Sequence, residues 1–271
     1  MAQATTFKTE GRLDQEQRQK LIRVLMYGVF VVGVALFVIF ADWDAIATNF
    51  FNLEIAGSMF PEVVTIAAKN TLLYTVLSFL FGLVLGLVLA LMKMSTVGPY
   101  RWLATTYVEI FRGLPALLTL FLIGFGIPLA FGTNWSILWS GVLALGLVAA
   151  AYMAETIRAG IQAVPKGQME AARSLGMSQF WAMTSIVIPQ AFRIIVPPMT
   201  NEFVLLIKDT SLFFVLGFTP ANKELTKFGR DILSTRANAT PLIVAGIMYL
   251  VVTIPLTRLV AALERRQARA R

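Results

Sequence analysis

Six mostly apolar stretches of about 20 residues or more divide this 271-residue chain, and they constrain its fold more than any other feature. They cover 21–41, 66–92, 102–131, 135–161, 196–218 and 241–263. A helix of about 20 apolar residues crosses the ~30 Å hydrocarbon core of a bilayer. In that core every backbone N–H and C=O must be satisfied within the chain, so only helices and closed barrels span it. The spacing therefore predicts an all-α, polytopic membrane protein with six transmembrane helices. Composition agrees: 57% of residues are hydrophobic and 14% charged, against about half and a quarter in soluble domains. The first run exceeds the 7–15 residue core of a signal peptide, and no small-residue cleavage site follows it, so it reads as a retained span.

Basic residues set the expected orientation. With the N-terminus inside, the inner segments hold fifteen Lys and Arg and the outer ones four. This bias predicts a multi-pass protein with both termini in the cytoplasm. The expected organisation is a cytoplasmic tail at 1–20, an extra span with an outer loop at 21–64, a transmembrane domain at 65–264 and a cytoplasmic tail at 265–271. All four outer basic residues (Lys223, Lys227, Arg230, Arg236) fall in 218–240. Charge and apolarity alternate there at helical spacing, which suggests an amphipathic outer helix, with a solvated loop as the alternative. The net charge of +8 does not indicate nucleic acid, because the basic residues flank apolar runs.

The absence of Cys and His removes disulfides, the common soft-metal sites and His- or Cys-dependent catalysis. Within the spans, Gly82 and Gly86 are four residues apart and suit close helix approach. Gly124, Gly126 and Pro128 interrupt the third run, where freed backbone groups need protein or water to satisfy them.

The connection between the fourth and fifth runs is the most informative segment. Pro165 suits the first turn of a helix, residues 170–175 favour helix, and Gly176 is a natural stop. A short helix at about 165–177 is thus expected outside the bilayer, with Met169, Ala172 and Leu175 as a docking face. Glu170-Ala171-Ala172, then Gly176, Ile186, Ile188 and Pro189, reproduce the EAA signature of ABC importer permeases with complete spacing. Residues 107–115, 154–160 and 206–212 resemble motifs of the polar amino acid branch. The resemblance covers roughly 65–264 and implies the type I ABC importer transmembrane domain. It also implies that Glu170, Ala171, Ala172, Leu175 and Gly176 couple to a cytoplasmic ATPase. Further implied partners are a second permease subunit, identical or related, and an extracytoplasmic amino-acid-binding protein. Leu114 and Thr119 depart from the branch's usual Thr and Gln. No Gly-x-x-x-x-Gly-Lys-Ser/Thr loop occurs in the chain, so ATP and Mg are expected on the separate ATPase and no cofactor on this chain.

Ionisable residues in spans usually face a bundle interior, a partner or a water-filled path. Lys208 and Asp209 lie near the expected midplane of the fifth span and point about 100° apart, so they cannot share one partner squarely. They either fix packing or line the route. Glu109 and Arg112, and Glu155 and Arg158, are spaced i,i+3 and suit ion pairs of a structural or gating kind. Asn201 and Glu202 are expected near the start of the fifth span, bracing the coupling segment. A secondary transporter or channel would leave the 170–176 helix without a purpose and usually shows internal repeats, which are not evident. An intramembrane enzyme has no convincing catalytic set.

Overall fold

The computed structural model describes residues 15–133 and 136–269. The chain divides into two units, 1–49 and 50–271. Residues 1–14, most of the expected N-terminal tail, and Trp135 and residues 270–271 lie outside the described residues.

In the first unit, helix α1 (Gln15–Phe40) contains an apolar span of 24 residues. Its described side chains are all exposed within this single chain. Arg18, Lys20 and Arg23 sit at its start, and beyond its other end Trp43 donates an indole N–H to the Val38 carbonyl at 2.8 Å. Helix α2 follows (Trp43–Phe50).

The second unit opens with α3 (Leu53–Ser58) and a π-helical turn (Val63–Ala68) that runs into α4 (Lys69–Met94). Helix α8 (Ile137–Gln162) lies against α4 along a seam of small residues. A Cβ on Gly82 would stand 3.1 Å from Ala149 Cβ, and one on Gly86 would stand 2.9 Å from Met153 Cβ. The close approach expected at these glycines is thus realised, because small residues on both faces let the backbones meet. Helix α8 is the most enclosed span, with Ala144, Ala149, Ala150, Ala151 and Ala154 all buried.

The third run is not one straight helix. Helix α5 (Gly98–Gly113) ends at Leu114, which is extended (φ −91°, ψ 140°), and α6 (Ala116–Phe121) leaves at 106° to it. Pro115 causes the break: it lacks an N–H, and the residue before a proline is pushed out of the helical region. Gly124 and Gly126 lie in a π-helical turn (Leu122–Gly126) leading into α7 (Ile127–Phe131), so the flagged interruption is milder than the one at Pro115.

After α8 come α9 (Lys166–Ser174), α10 (Gln179–Ala182), a π-helical turn (Met183–Val187) and α11 (Ile188–Asp209). The helical path from Gln179 to Val215 is continuous over 37 residues. The helix that carries the fifth run therefore begins well before residue 196. Helix α11 passes through Pro197 and Pro198 because a bundle can satisfy the backbone groups that proline frees.

Helix α12 (Leu225–Arg236) occupies the segment with the four basic residues, confirming a helix there, and α13 (Thr240–Arg269) completes the unit. Helix α13 continues to Arg269, so most of the expected 265–271 tail is helical. Lys223 and Lys227 both pair with Asp231 at 2.6 Å. Burial raises the Asp231 carboxyl, but hydrogen bonds from these two lysines outweigh it and hold the group below its usual range.

Glu224 caps α12: its carboxylate accepts the Thr226 and Lys227 N–H groups at 2.6 Å and the Tyr249 hydroxyl at 3.0 Å. Burial pushes its pKa up to about 7, against the pull of those donors. The folded protein then holds this proton more tightly than the unfolded chain does. Its contribution to stability is full below the ordinary carboxyl value of 4.5 and is lost as pH rises toward about 7. The melting temperature of purified protein is expected to fall across that window. Glu224→Gln should flatten the dependence, and a wild-type profile that rises with pH there would contradict the assignment.

Candidate functional site: a half-buried acidic cavity and an exposed connecting helix

Helix α9 starts after Pro165, whose missing N–H costs nothing there, and ends in a Schellman motif. The Met177 N–H donates to Ala172 O at 3.1 Å and the Gly176 N–H to Arg173 O at 3.0 Å. Gly176 has φ +86°, a conformation that side chains disfavour. The helix expected at 165–177 is therefore present, but its apolar face is split. Ala172 is buried, and Met169 packs beside Val164, Val187 and Ala191. These two hold α9 against the bundle. Leu175 is 85% exposed, and Glu170, Ala171 and Gly176 are exposed with it. Ala172 thus belongs to the face turned to the bundle, and Leu175 to the face left open in the single chain. Sequence spacing alone treated residues 169, 172 and 175 as equivalent because it could not see which side the bundle occupies.

The charge pairs divide in the same way. Glu155 and Arg158 do pair, with Arg158 Nη2 at 2.6 Å from Glu155 Oε2. Lys93 of α4 joins them through the second carboxylate oxygen, which ties the ends of α4 and α8 together. Sequence reasoning missed Lys93, since nothing local relates it to a residue 62 positions away. For Glu109 and Arg112 the structure shows no ion pair. Arg112 instead stacks over the Tyr152 ring, 5.5 Å from its centroid. The reason is geometric: α8 lies beside α5 and offers an aromatic face, while Glu109 is exposed elsewhere on α5.

Asn201 and Glu202 lie within α11 and not at its start. Phe203 rests edge-on against Phe79 at 5.2 Å, and Phe79 is halfway along the 32-residue path Val63–Met94. Glu202 therefore lies level with the middle of that path, and Asp209 about 10 Å further from α9. The two carboxylates are seven residues apart, which places them on one face of α11. Together with Tyr152 they line a cavity of about 260 Å³, walled otherwise by Leu114, Ala116, Leu145, Val148, Ala149, Leu205 and Leu206. The Leu114–Pro115 break shapes one wall, because it turns α6 across the end of α5. Lys208 does not line this cavity and is exposed on the surface of the single chain, as is Asn201. The i,i+7 spacing of two acids within one apolar run was the signal that could have identified Glu202. Of the two positions that depart from the branch pattern, Leu114 reaches the cavity and Thr119 is buried away from it.

Residues 82–269 match the family described as binding-protein-dependent transport system inner membrane component. The arginine transport system permease protein ArtQ of Bacillus subtilis is 40% identical over 196 residues, covering 72% of this chain and 88% of that protein. The probable glutamine ABC transporter permease protein GlnM of the same organism is also 40% identical, over 199 residues, covering 73% and 89%. The crystal structure of an amino acid ABC transporter with histidines aligns with a TM-score of 0.72 at 40% identity, covering 79% of this chain and 97% of that one. Together with the apolar helices, these matches place the protein in the inner membrane as a multi-pass component. Its partners are an ATPase subunit and a binding protein. The chain belongs to the binding-protein-dependent transport system inner membrane component family: it is the membrane-spanning permease subunit of an ABC importer, and ATP hydrolysis resides in a separate subunit.

Proposed function

We propose that this permease carries a cationic amino acid through the cavity bounded by Glu202, Asp209 and Tyr152. The observation that supports this is two carboxylates turned into one otherwise apolar space. Isolated charge at mid-bilayer costs about 2.5–3.5 kcal/mol on insertion scales, so two acids sharing a cavity call for compensating positive charge. A basic amino acid brings two cations, its α-ammonium and its side chain, and the carboxylates are spaced about 10 Å apart along the helix. Arg112, stacked on Tyr152, supplies a positive group beside that wall for the cargo's carboxylate. Relatives named for arginine and for glutamine are equally similar to this chain. Overall identity therefore does not select the cargo, and the chemistry of the cavity carries the argument.

In this reading both termini and α9 lie on the cytoplasmic side. An amino-acid-binding protein delivers cargo at the opposite face. ATP and Mg bind the ATPase subunits, whose closure acts on the exposed surface of α9 and switches access to the cavity. Lys208, exposed within a span of the single chain, supports a second permease subunit packed against α11.

Equilibrium binding of radiolabelled arginine and glutamine to the purified permease–ATPase complex tests the cargo assignment. A charge-assisted hydrogen bond contributes about 1.5–3 kcal/mol, or roughly tenfold to a hundredfold in affinity. Asp209→Asn and Glu202→Gln should each weaken arginine by about tenfold or more and glutamine much less. Equal weakening of both ligands, or none, would remove the assignment.

A further inference from the structure

Asp209 is the last residue of α11, and the chain beyond it is only briefly helical. It forms one 3₁₀ segment (Thr210–Val215), an irregular stretch and a single 3₁₀ turn (Pro220–Asn222) before Glu224 caps α12. Such a stretch has few backbone bonds of its own, so other elements must hold it in place.

Helix α4 does so with one polar patch. The Asn70 side-chain amide donates to Ala221 O at 2.9 Å and to Lys223 O at 3.1 Å. One turn along, the Tyr74 hydroxyl donates to the intervening Asn222 O at 2.7 Å. Three consecutive carbonyls are thus satisfied by two side chains at i and i+4. Thr71 adds a fourth tie by accepting the Leu225 N–H at 3.1 Å. The Tyr74 ring stacks on Phe218 at 5.9 Å and tilts against Phe213 at 5.6 Å. Phe213 in turn lies over Gly141 of α8, where a Cβ would come within 2.7 Å of its ring. Tyr74 itself is fully buried.

The same α4 is seated on α8 through Gly82 and Gly86, and α8 forms the opposite wall of the acidic cavity. One helix therefore sets both the wall carrying Tyr152 and the segment that begins at Asp209. We propose that Asn70 and Tyr74 are positioning residues for cargo recognition: without touching cargo, they fix residues 210–223 and thereby place the Asp209 carboxylate. This rests on the cargo reading above. Its physical basis is that a displacement of about 1 Å in a polar contact can change its effect as much as 10²-fold, and the α-helix that carries Asp209 gives way to a 3₁₀ segment directly after it.

The test uses equilibrium binding of radiolabelled arginine and glutamine to the purified permease–ATPase complex, with melting temperature read in parallel. Tyr74→Phe removes only a hydroxyl and keeps the ring contacts, and Asn70→Ala is the second variant. Tyr249→Phe is the comparison, because it removes a part-buried hydroxyl bonded to Glu224, the cap of α12, and not to a carbonyl of residues 221–223. Tyr74→Phe and Asn70→Ala are expected to lower arginine affinity about fivefold to tenfold and to narrow the arginine-to-glutamine ratio. Tyr249→Phe should lower the melting temperature and leave that ratio unchanged. A Tyr74→Phe complex with a reduced melting temperature and an unaltered ratio would overturn the proposal, as would an equal change of ratio in Tyr249→Phe. Asp209→Asn, run alongside, separates the two claims. If it alters the ratio while Tyr74→Phe and Asn70→Ala do not, the positioning role falls and the cargo site stands. If Asp209→Asn is silent, the cargo site falls and the positioning role with it.

Discussion

Gly86→Leu is expected to leave almost no folded permease in the membrane. A Cβ at this position would lie 2.9 Å from Met153 Cβ, 3.0 Å from Ala150 O and 3.2 Å from Ala154 N. None of these is the tip of a flexible side chain, so the helices themselves would have to separate. Gly82, one turn away, meets Ala149 Cβ at 3.1 Å and Gly146 O at 3.2 Å, and prevents a local tilt from relieving the strain. Overpacking a core by a few methylenes costs about 1–3 kcal/mol and occasionally more. A full leucine on a backbone-to-backbone seam belongs at the upper end, against a total stability of about 5–15 kcal/mol. The measurement is the yield and melting temperature of monodisperse protein in detergent, with Gly86→Ala expected to fall between wild type and leucine. Gly246→Ala in α13 is the comparison, because nothing lies within 4 Å of the added atom. Normal yield of Gly86→Leu would mean that the α4–α8 seam is not as close as described.

Leu175→Asp should produce the second large effect, and it should do so without loss of fold. The side chain is 85% exposed beyond the last turn of α9, so it contributes almost nothing to the bundle. On the proposal that this surface receives the ATPase, burying a leucine there resembles an interface anchor, whose loss costs about 2 kcal/mol or more. A carboxylate in its place adds a desolvation penalty. The expected result is at least a thirtyfold loss of ATPase co-purification or of uptake, with membrane insertion and melting temperature unchanged. Ala172→Asp is the instructive contrast. Ala172 is buried against the bundle, so that variant should be unstable before it is uncoupled. If Leu175→Asp transports normally, the docking surface lies elsewhere on α9.

How much of this was legible beforehand depended on how local the cause was. The spans could be located because hydropathy is a property of consecutive residues, and five of the six runs contain long apolar helices. The third failed as a straight helix for an equally local reason, at Leu114 and Pro115, which reads directly as a break once weighed against the weaker glycines downstream. The fifth run is placed by hydropathy from 196, whereas the helical path that carries it starts at Gln179 and continues through Pro197 and Pro198. In a bundle, neighbours relieve what prolines cost in water. That late start moved Glu202 from the interior of a helix to an apparent edge, and so hid its relation to Asp209.

Sequence by itself determined the helical class, the apolar spans, the α9 helix between Pro165 and Gly176, and the glycines that admit close packing. Each of these follows from hydropathy, backbone dihedrals or side-chain size within a few consecutive residues. Only the tertiary structure decided which charges meet. It joined Lys93 to Glu155 and set Arg112 over Tyr152 instead of Glu109. It also turned Glu202 and Asp209 into one cavity while leaving Lys208 on the surface. The physical reason is rotational. In water, an apolar stripe dictates which face of a helix turns inward. In a bilayer, lipid and neighbouring helices are equally apolar, so hydrophobicity leaves the rotation of each helix undetermined. Close packing at Gly82 and Gly86, the bend at Pro115 and the side-chain ties from α4 supply that missing angle, and each depends on residues far apart in the chain.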